Sequence, residues 1–250
     1  MAEPYWNGGD VQLYVGDSRE ILPDLGITAD LIVADPPYAE TSLTWDRWPG
    51  NWPLLVREAA RSMWCFGSMR MFLERGHEFT GAGWKLSQDV IWEKHNGSGF
   101  AADRFKRVHE TVTHWYRGDW RDLHHEVPRV PHLGPDETRP TKRRSQPAHT
   151  GTVAARGWSD DGTRMARTVL RIRSAHHRAI HPTEKPVELL DLLIRYACPP
   201  GGMVVDPFAG SGSTLEAARL TGRKAIGIEA HEPYAEAAAR RLAQAPLGAS

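Results

Sequence analysis

Short apolar runs alternate with helical segments along this chain, and no other feature constrains its fold as strongly. "VQLYVGDS" and "DLIVADPP" read as buried strands joined by the helical piece "SREILPDL". "WPLLVREAARS" spaces its apolar residues as a helix does and leads into the strand-like "MWCFGS" and the helix "MRMFLERGHEF". "WKLSQDVIWEK" and "ETVTHWYRG" are rich in β-branched and aromatic residues and read as strands. A helix then begins after Pro182, turns Val187, Leu189, Leu190, Leu193 and Ile194 inward, and stops at Pro199-Pro200-Gly201-Gly202. Strand "MVVDPF", a Gly-rich turn, helix "STLEAARLTG", strand "KAIGIEA" and helix "EPYAEAAARRLAQA" complete the pattern. Such alternation implies an α/β fold with a doubly wound, mostly parallel sheet and helices on both faces.

The periodicity is lost from about residue 119 to 178, where Pro128, Pro131, Pro135, Pro140 and Pro147 stand among arginines and histidines. This stretch reads as a small irregular insertion between residues 1–118 and 179–250. The net charge is zero, yet from residue 117 to 178 basic residues outnumber acidic ones 13 to 7, against 18 to 24 elsewhere. That asymmetry suggests a surface for a polyanion, although a solvated charged loop would look the same.

No apolar run approaches the roughly 20 residues that span a bilayer, and the start "MAEPYWNGGD" has no signal-peptide pattern, so a cytoplasmic location is expected. Cys65 and Cys198 show no metal or redox spacing, which makes a disulfide framework or metal site unexpected.

"VVDPFAGSGST" sets a Gly-rich loop between a strand and a helix start, where free amides and the helix dipole meet a ligand. A P-loop would need Lys before Ser213-Thr214, and a dinucleotide fingerprint would need a third glycine where Leu215 stands. An S-adenosylmethionine site remains, with Glu229 ending the next strand as an acid suited to ribose hydroxyls. Taken alone, Gly210 and Gly212 also fit an ordinary βα turn.

Asp35-Pro36-Pro37-Tyr38 follows another apolar strand, so both loops should gather on the carboxyl edge of the sheet. The prolines fix their own φ and hold the preceding residues extended. The turn thereby presents a carboxylate, a carbonyl and a ring. An exocyclic base amine needs two acceptors to orient its N–H groups, and a base taken out of a duplex needs an aromatic platform. The turn suits direct in-line methyl transfer to such an amine.

The segments "VGDS", "DPPY", "VIWEK", "RVHE", "HPTEKP", "DPFAGSG" and "IGIE" resemble the S-adenosylmethionine-dependent amino-methyltransferases of DNA, which make N6-methyladenine or N4-methylcytosine. The order, with the catalytic turn before the cofactor loop, is similar to that of the permuted class called β. The resemblance implies a seven-stranded, Rossmann-like methyltransferase sheet. It also implies catalysis by Asp35, Pro36, Pro37 and Tyr38. Asp206, Phe208, Gly210 and Gly212 match the loop around the methionine part of the cofactor, Glu229 the ribose acid and Asp17 an acid near the adenine amine. Thr183 and Lys185 match the segment beside the methionine carboxylate; a solvated helix start is the alternative for Lys185.

Arg107, His109 and Glu110 match a pattern whose role stays open, strand-edge salt bridges being the alternative. Trp45 and Trp48, in the loop after the turn, would either close over the site or pack. Residues 119 to 178 would read double-stranded DNA, with Arg143, Arg144, Arg171 and Arg173 on phosphates or guanine edges. Relatives of this class are often homodimers, and a cognate restriction enzyme would fit the role. Cytosine C5 methylation would need a cysteine nucleophile at a Pro-Cys strand exit, which neither cysteine supplies. Adenine is expected over the N4 amine of cytosine because the cytosine branch more often carries Ser where Asp35 stands. RNA-base methylation and a non-catalytic DNA-binding module are the remaining readings.

Overall fold

The computed structural model describes residues 2–44, 46–98, 103–131, 162–174 and 184–244. Contacts divide the chain into one unit of Met1–Glu126 with Thr168–Ser250 and a second of Val127–Arg167. In chain order the first unit's early strands are β1 (Trp6–Asn7), β2 (Val11–Val15), β3 (Leu31–Ala34), β4 (Ser62–Gly67), β5 (Lys85–Ser98) and β6 (Arg107–Tyr116). The smaller unit holds β7 (Arg129–Pro131) and β8 (Thr163–Met165), an antiparallel pair in which Val130 faces Arg164. Strands β9 (Val169–Arg171), β10 (Met203–Asp206) and β11 (Lys224–Glu229) return to the first unit. Its helices are α1 (Ser18–Leu25), α2 (Trp52–Val56), α3 (Met69–Gly81), α4 (Val187–Ala197), α5 (Ser213–Leu220) and α6 (Glu232–Ala243).

The main sheet runs β1-β2-β11-β10-β3-β4-β6-β5-β9. From β2 to β4 every pairing is parallel, and β6 lies antiparallel between β4 and β5. Parallel strands covered on both faces must be apolar at every position, and Leu31–Ala34 is buried throughout. Leu31 and Val33 join the cluster under α4, α5 and α6, whereas Ile32 and Ala34 join the one under α1, α2 and α3. Buried indoles lock elements together through their one donor: Trp64 to the carbonyl of Leu193 at 3.0 Å, Trp84 to Pro53 at 2.8 Å and Trp92 to Ile172 at 2.8 Å.

Among the described residues the main sheet has nine strands where the resemblance predicts seven. The additional two are the edge strands β1, antiparallel to β2, and β9, parallel to β5. They cap sheet edges that would otherwise expose unpaired backbone, and both are too short to carry a periodic signal. The irregular stretch also rejoins the main sheet earlier than its composition suggests, because β9 and buried Ile172 belong to the first unit. Helix α2 is shorter than "WPLLVREAARS" predicts. After Val56 the chain makes single turns, with the amides of Ala59 and Ala60 bonded to its carbonyl, and the Ala59 carbonyl accepts from the Ala29 amide. No helix among the described residues is long and apolar enough to cross a membrane.

Candidate active site

Strands β2, β11, β10 and β3 are neighbours and parallel, so their carboxyl ends open on one edge. There Asp17 follows β2, Glu229 ends β11, Asp206 ends β10 and Asp35 follows β3. Together with the loop Pro207–Ser211 they line a cavity of about 430 Å³. Ligand pockets lie roughly between 300 and 1,000 Å³. Asp35, Pro36, Pro37, Tyr38, Asp17, Lys185, Asp206, Phe208, Gly210 and Glu229 all line it.

The Tyr38 hydroxyl donates to Asp35 Oδ1 at 2.6 Å, and burial together with the neighbouring Asp35 and Glu110 raises its pKa well above the ordinary phenol value. Lys185 Nζ donates to Asp35 Oδ2 at 2.5 Å and lies 3.4 Å from Glu110 Oε2. Burial would lower its pKa, but the two carboxylates outweigh that and raise it. Lys94 pairs with the other oxygen of Glu110. Burial would raise Glu110, yet Lys185 and Lys94 hold it below the usual carboxylate range.

On the opposite side, Asp206 is buried and accepts from the Phe208 amide at 3.0 Å. Burial, with Asp35 and Glu229 nearby, pushes its pKa up to about 7 despite hydrogen bonds from Thr214 and Phe208. Glu229 takes the Gly210 amide on Oε2 at 2.7 Å and the His231 amide on Oε1 at 2.8 Å, while burial raises its pKa. Asp17 caps α1 by accepting from the Arg19 amide at 2.8 Å, and its pairing with the Arg19 side chain lowers its pKa. Phe208 packs edge-on against Trp52 at 5.4 Å.

Gly212, at φ +79, is the N-cap of α5 and does not line the cavity; a Cβ there would meet that of Ala238 at 2.9 Å. It sets helix packing. Thr183, Arg143, Arg144 and Trp45 lie outside the described residues. Arg171 and Arg173 are exposed and away from the cavity, Arg171 donating to Glu93 at 2.9 Å. Trp48 packs against Trp52 and Phe79 and donates to Glu78.

The ammonium of Lys185, expected beside the methionine carboxylate, lines the cavity and donates to Asp35. Glu110, whose role the sequence leaves open, is in the site. Among the lining residues with no part assigned from the sequence, Asp46 and Glu184 hold loops in place. Asp46 accepts the amides of Ala39, Glu40 and Thr41 at 2.8, 3.0 and 2.7 Å, fixing the loop after Tyr38. Glu184 pairs with Arg241 of α6 and accepts from Ser211 at 3.2 Å.

A doubly wound, mostly parallel sheet in which β6 runs antiparallel between β4 and β5, and a glycine loop facing a Pro-Pro turn across one cavity, defines a methyltransferase. The profile of the N6/N4 DNA methylases matches residues 29–240, and the chain belongs to that family. Type II methyltransferase M.ScaI of Streptomyces caespitosus is 26% identical over 97% of this chain and 84% of its own length. Type II methyltransferase M.HinfI of Haemophilus influenzae is 27% identical over 85% of this chain, which spans 62% of it. Among solved structures, the M1.HpyAVI–SAM complex superposes with a TM-score of 0.67 at 21% identity, covering 94% of this chain and all of that one. The cytosine-N4-specific PvuII DNA methyltransferase gives 0.69 at 17% identity, covering 99% and 91%.

Proposed function

We propose that this DNA methyltransferase acts on the N6 amine of an adenine flipped out of double-stranded DNA. One observation carries the reading: Asp35, Pro36 and Tyr38 share a cavity with the glycine loop and Glu229. S-Adenosylmethionine is the cofactor, and when bound it supplies an electrophilic methyl group on a sulfonium centre.

The residues present fit that cofactor. Gly210, at φ +51, lets the loop backbone approach a ligand closely. Each oxygen of Glu229 accepts one amide and keeps a lone pair for a ribose hydroxyl. The cavity is lined by Asp17, Asp35, Asp46, Glu110, Glu184, Asp206 and Glu229 against Arg19, Arg47 and Lys185, a balance that favours a cationic ligand. Asp206, reluctant to ionise in its buried place, would be stabilised as a carboxylate by such a ligand.

Across the cavity, the Asp35 carboxylate and the Pro36 carbonyl would accept the two N–H groups of the target amine and direct its lone pair into the cavity. Tyr38, hydrogen-bonded to Asp35, would stack on the flipped base and offset part of an unstacking cost of about a few kcal/mol. The basic segment from 119 to 178 is the proposed DNA-reading region. The charge asymmetry and the exposed Arg171 and Arg173 support it.

Labelled S-adenosylmethionine, unmethylated DNA and nucleoside analysis of the digest test this reading. N6-methyladenine is the expected product; N4-methylcytosine would move the target to the other base, and unlabelled DNA would refute both. Asp35→Ala should abolish transfer while leaving cofactor affinity within about threefold, because an acceptor on the amine side has no bond to the donor. Equal loss of both would displace Asp35 from this role.

A further inference from the structure

We infer that Lys185 is the positioning residue of the amine-accepting carboxylate, with Glu110 as its counter-ion, and that it acts through Asp35 and not on the cofactor. The inference rests on the reading of Asp35 given above.

Lys185 is 6% exposed and sits two residues before α4, where a positive charge opposes the helix dipole. A buried ammonium costs several kcal/mol unless it is closely paired. Here it pairs with Asp35 Oδ2 at 2.5 Å and with Glu110 Oε2 at 3.4 Å, and it lies over the Phe66 ring at 5.0 Å. Lys94 joins the second oxygen of Glu110 and itself lies over Trp92 at 4.6 Å. The result is a row of alternating charges, Asp35, Lys185, Glu110 and Lys94, contributed by the exit of β3, the approach to α4, β6 and β5.

That row holds the Asp35 carboxylate from one end, and the Tyr38 hydroxyl holds it from the other. With one donor fixed on each oxygen, the carboxylate plane cannot swing, and each oxygen keeps a lone pair. The amine would then meet an acceptor of set orientation. Orientation of this kind raises the rate of the chemical step with little effect on how tightly the donor binds.

Single-turnover methylation and equilibrium binding of S-adenosylmethionine are measured for wild type, Lys185→Ala and Lys185→Arg. For Lys185→Ala the rate should fall at least about 100-fold with cofactor affinity within about threefold, and added ethylammonium should restore the rate about tenfold or more. Lys185→Arg keeps the charge but moves its donors, and should lose about tenfold in rate at unchanged cofactor affinity. It also serves if the alanine variant does not fold. An affinity loss as large as the rate loss would put Lys185 on the cofactor and overturn the inference. So would a rate within about threefold of wild type in either variant, or no response to the amine. Wild-type protein that binds cofactor but methylates no DNA would instead refute the functional reading beneath it.

Discussion

Asp206→Asn should make the cofactor-free protein less sensitive to pH while weakening its hold on S-adenosylmethionine. Burial pushes the folded Asp206 carboxyl from 3.8 to about 7. Between those values the folded chain binds more protons than the unfolded one, so this group's contribution to stability is fully present only below about 4. It declines as pH rises and is gone above about 7. About three units at 1.36 kcal/mol each set a ceiling near 4 kcal/mol, of which roughly 2 to 3 is lost between pH 5 and 8. Asparagine can keep the 3.0 Å bond from the Phe208 amide through its own carbonyl oxygen, so packing changes little.

Urea unfolding of both proteins without cofactor, at pH 5, 6, 7 and 8, isolates Asp206 and the carboxylates coupled to it, because the remaining titrating groups cancel in the difference. Wild-type stability minus that of the variant should fall by about 2 to 3 kcal/mol from pH 5 to pH 8. Wild-type cofactor affinity should climb through neutral pH as the carboxylate forms, a climb the variant lacks. A difference that stays flat within about 0.5 kcal/mol would mean the carboxyl ionises normally, and the argument from burial would fail.

Tyr38→Ala should weaken productive binding of the target base by about 1 to 3 kcal/mol, read as a rise in the DNA KM. Tyr38→Phe, which loses only the 2.6 Å bond to Asp35, should cost under about tenfold. The reverse order would refute stacking as the ring's role. Gly212→Ala forces a side chain onto φ +79 and to within 2.9 Å of Ala238 Cβ, and should destabilise the fold by about 2 to 4 kcal/mol in denaturant unfolding. A loss under about 1 kcal/mol would show that α5 and α6 shift apart at little cost.

What could be read in the sequence was what local order determines. Leu31–Ala34 and Met203–Asp206 are short runs buried at almost every position, and continuous apolarity between turn residues marks such strands. The loops that follow them were legible as ligand loops because parallel neighbours end on one edge. Edge strands β1 and β9 left no trace, since a ladder of two or three residues needs no pattern of its own and is set by the neighbour it covers. The early end of α2 was hidden for a similar reason: the apolar spacing continues past Val56, but the chain must turn there to feed Ser62 into β4.

The polar half of the site depends on long-range placement. Lys185 and Asp35 are 150 residues apart, and their contact follows from the sheet order that seats β3 between β10 and β4. Glu110 enters by register. Gly67, the last residue of β4, pairs with Thr111, so in antiparallel β6 the preceding residue falls just past the carboxyl end of β4, on the edge where Asp35 leaves β3. A one-residue slip of β6 would turn Glu110 to the other face of the sheet and away from the Lys185 ammonium. The register is fixed by the apolar pairs behind it, among them Phe66 with Val112, both fully buried. The orientation of the amine acceptor is therefore coupled to core packing beside it on the same face of the sheet, where Phe66 lies under the Lys185 ammonium, and substitutions at Val112, which does not line the cavity, should disturb methylation.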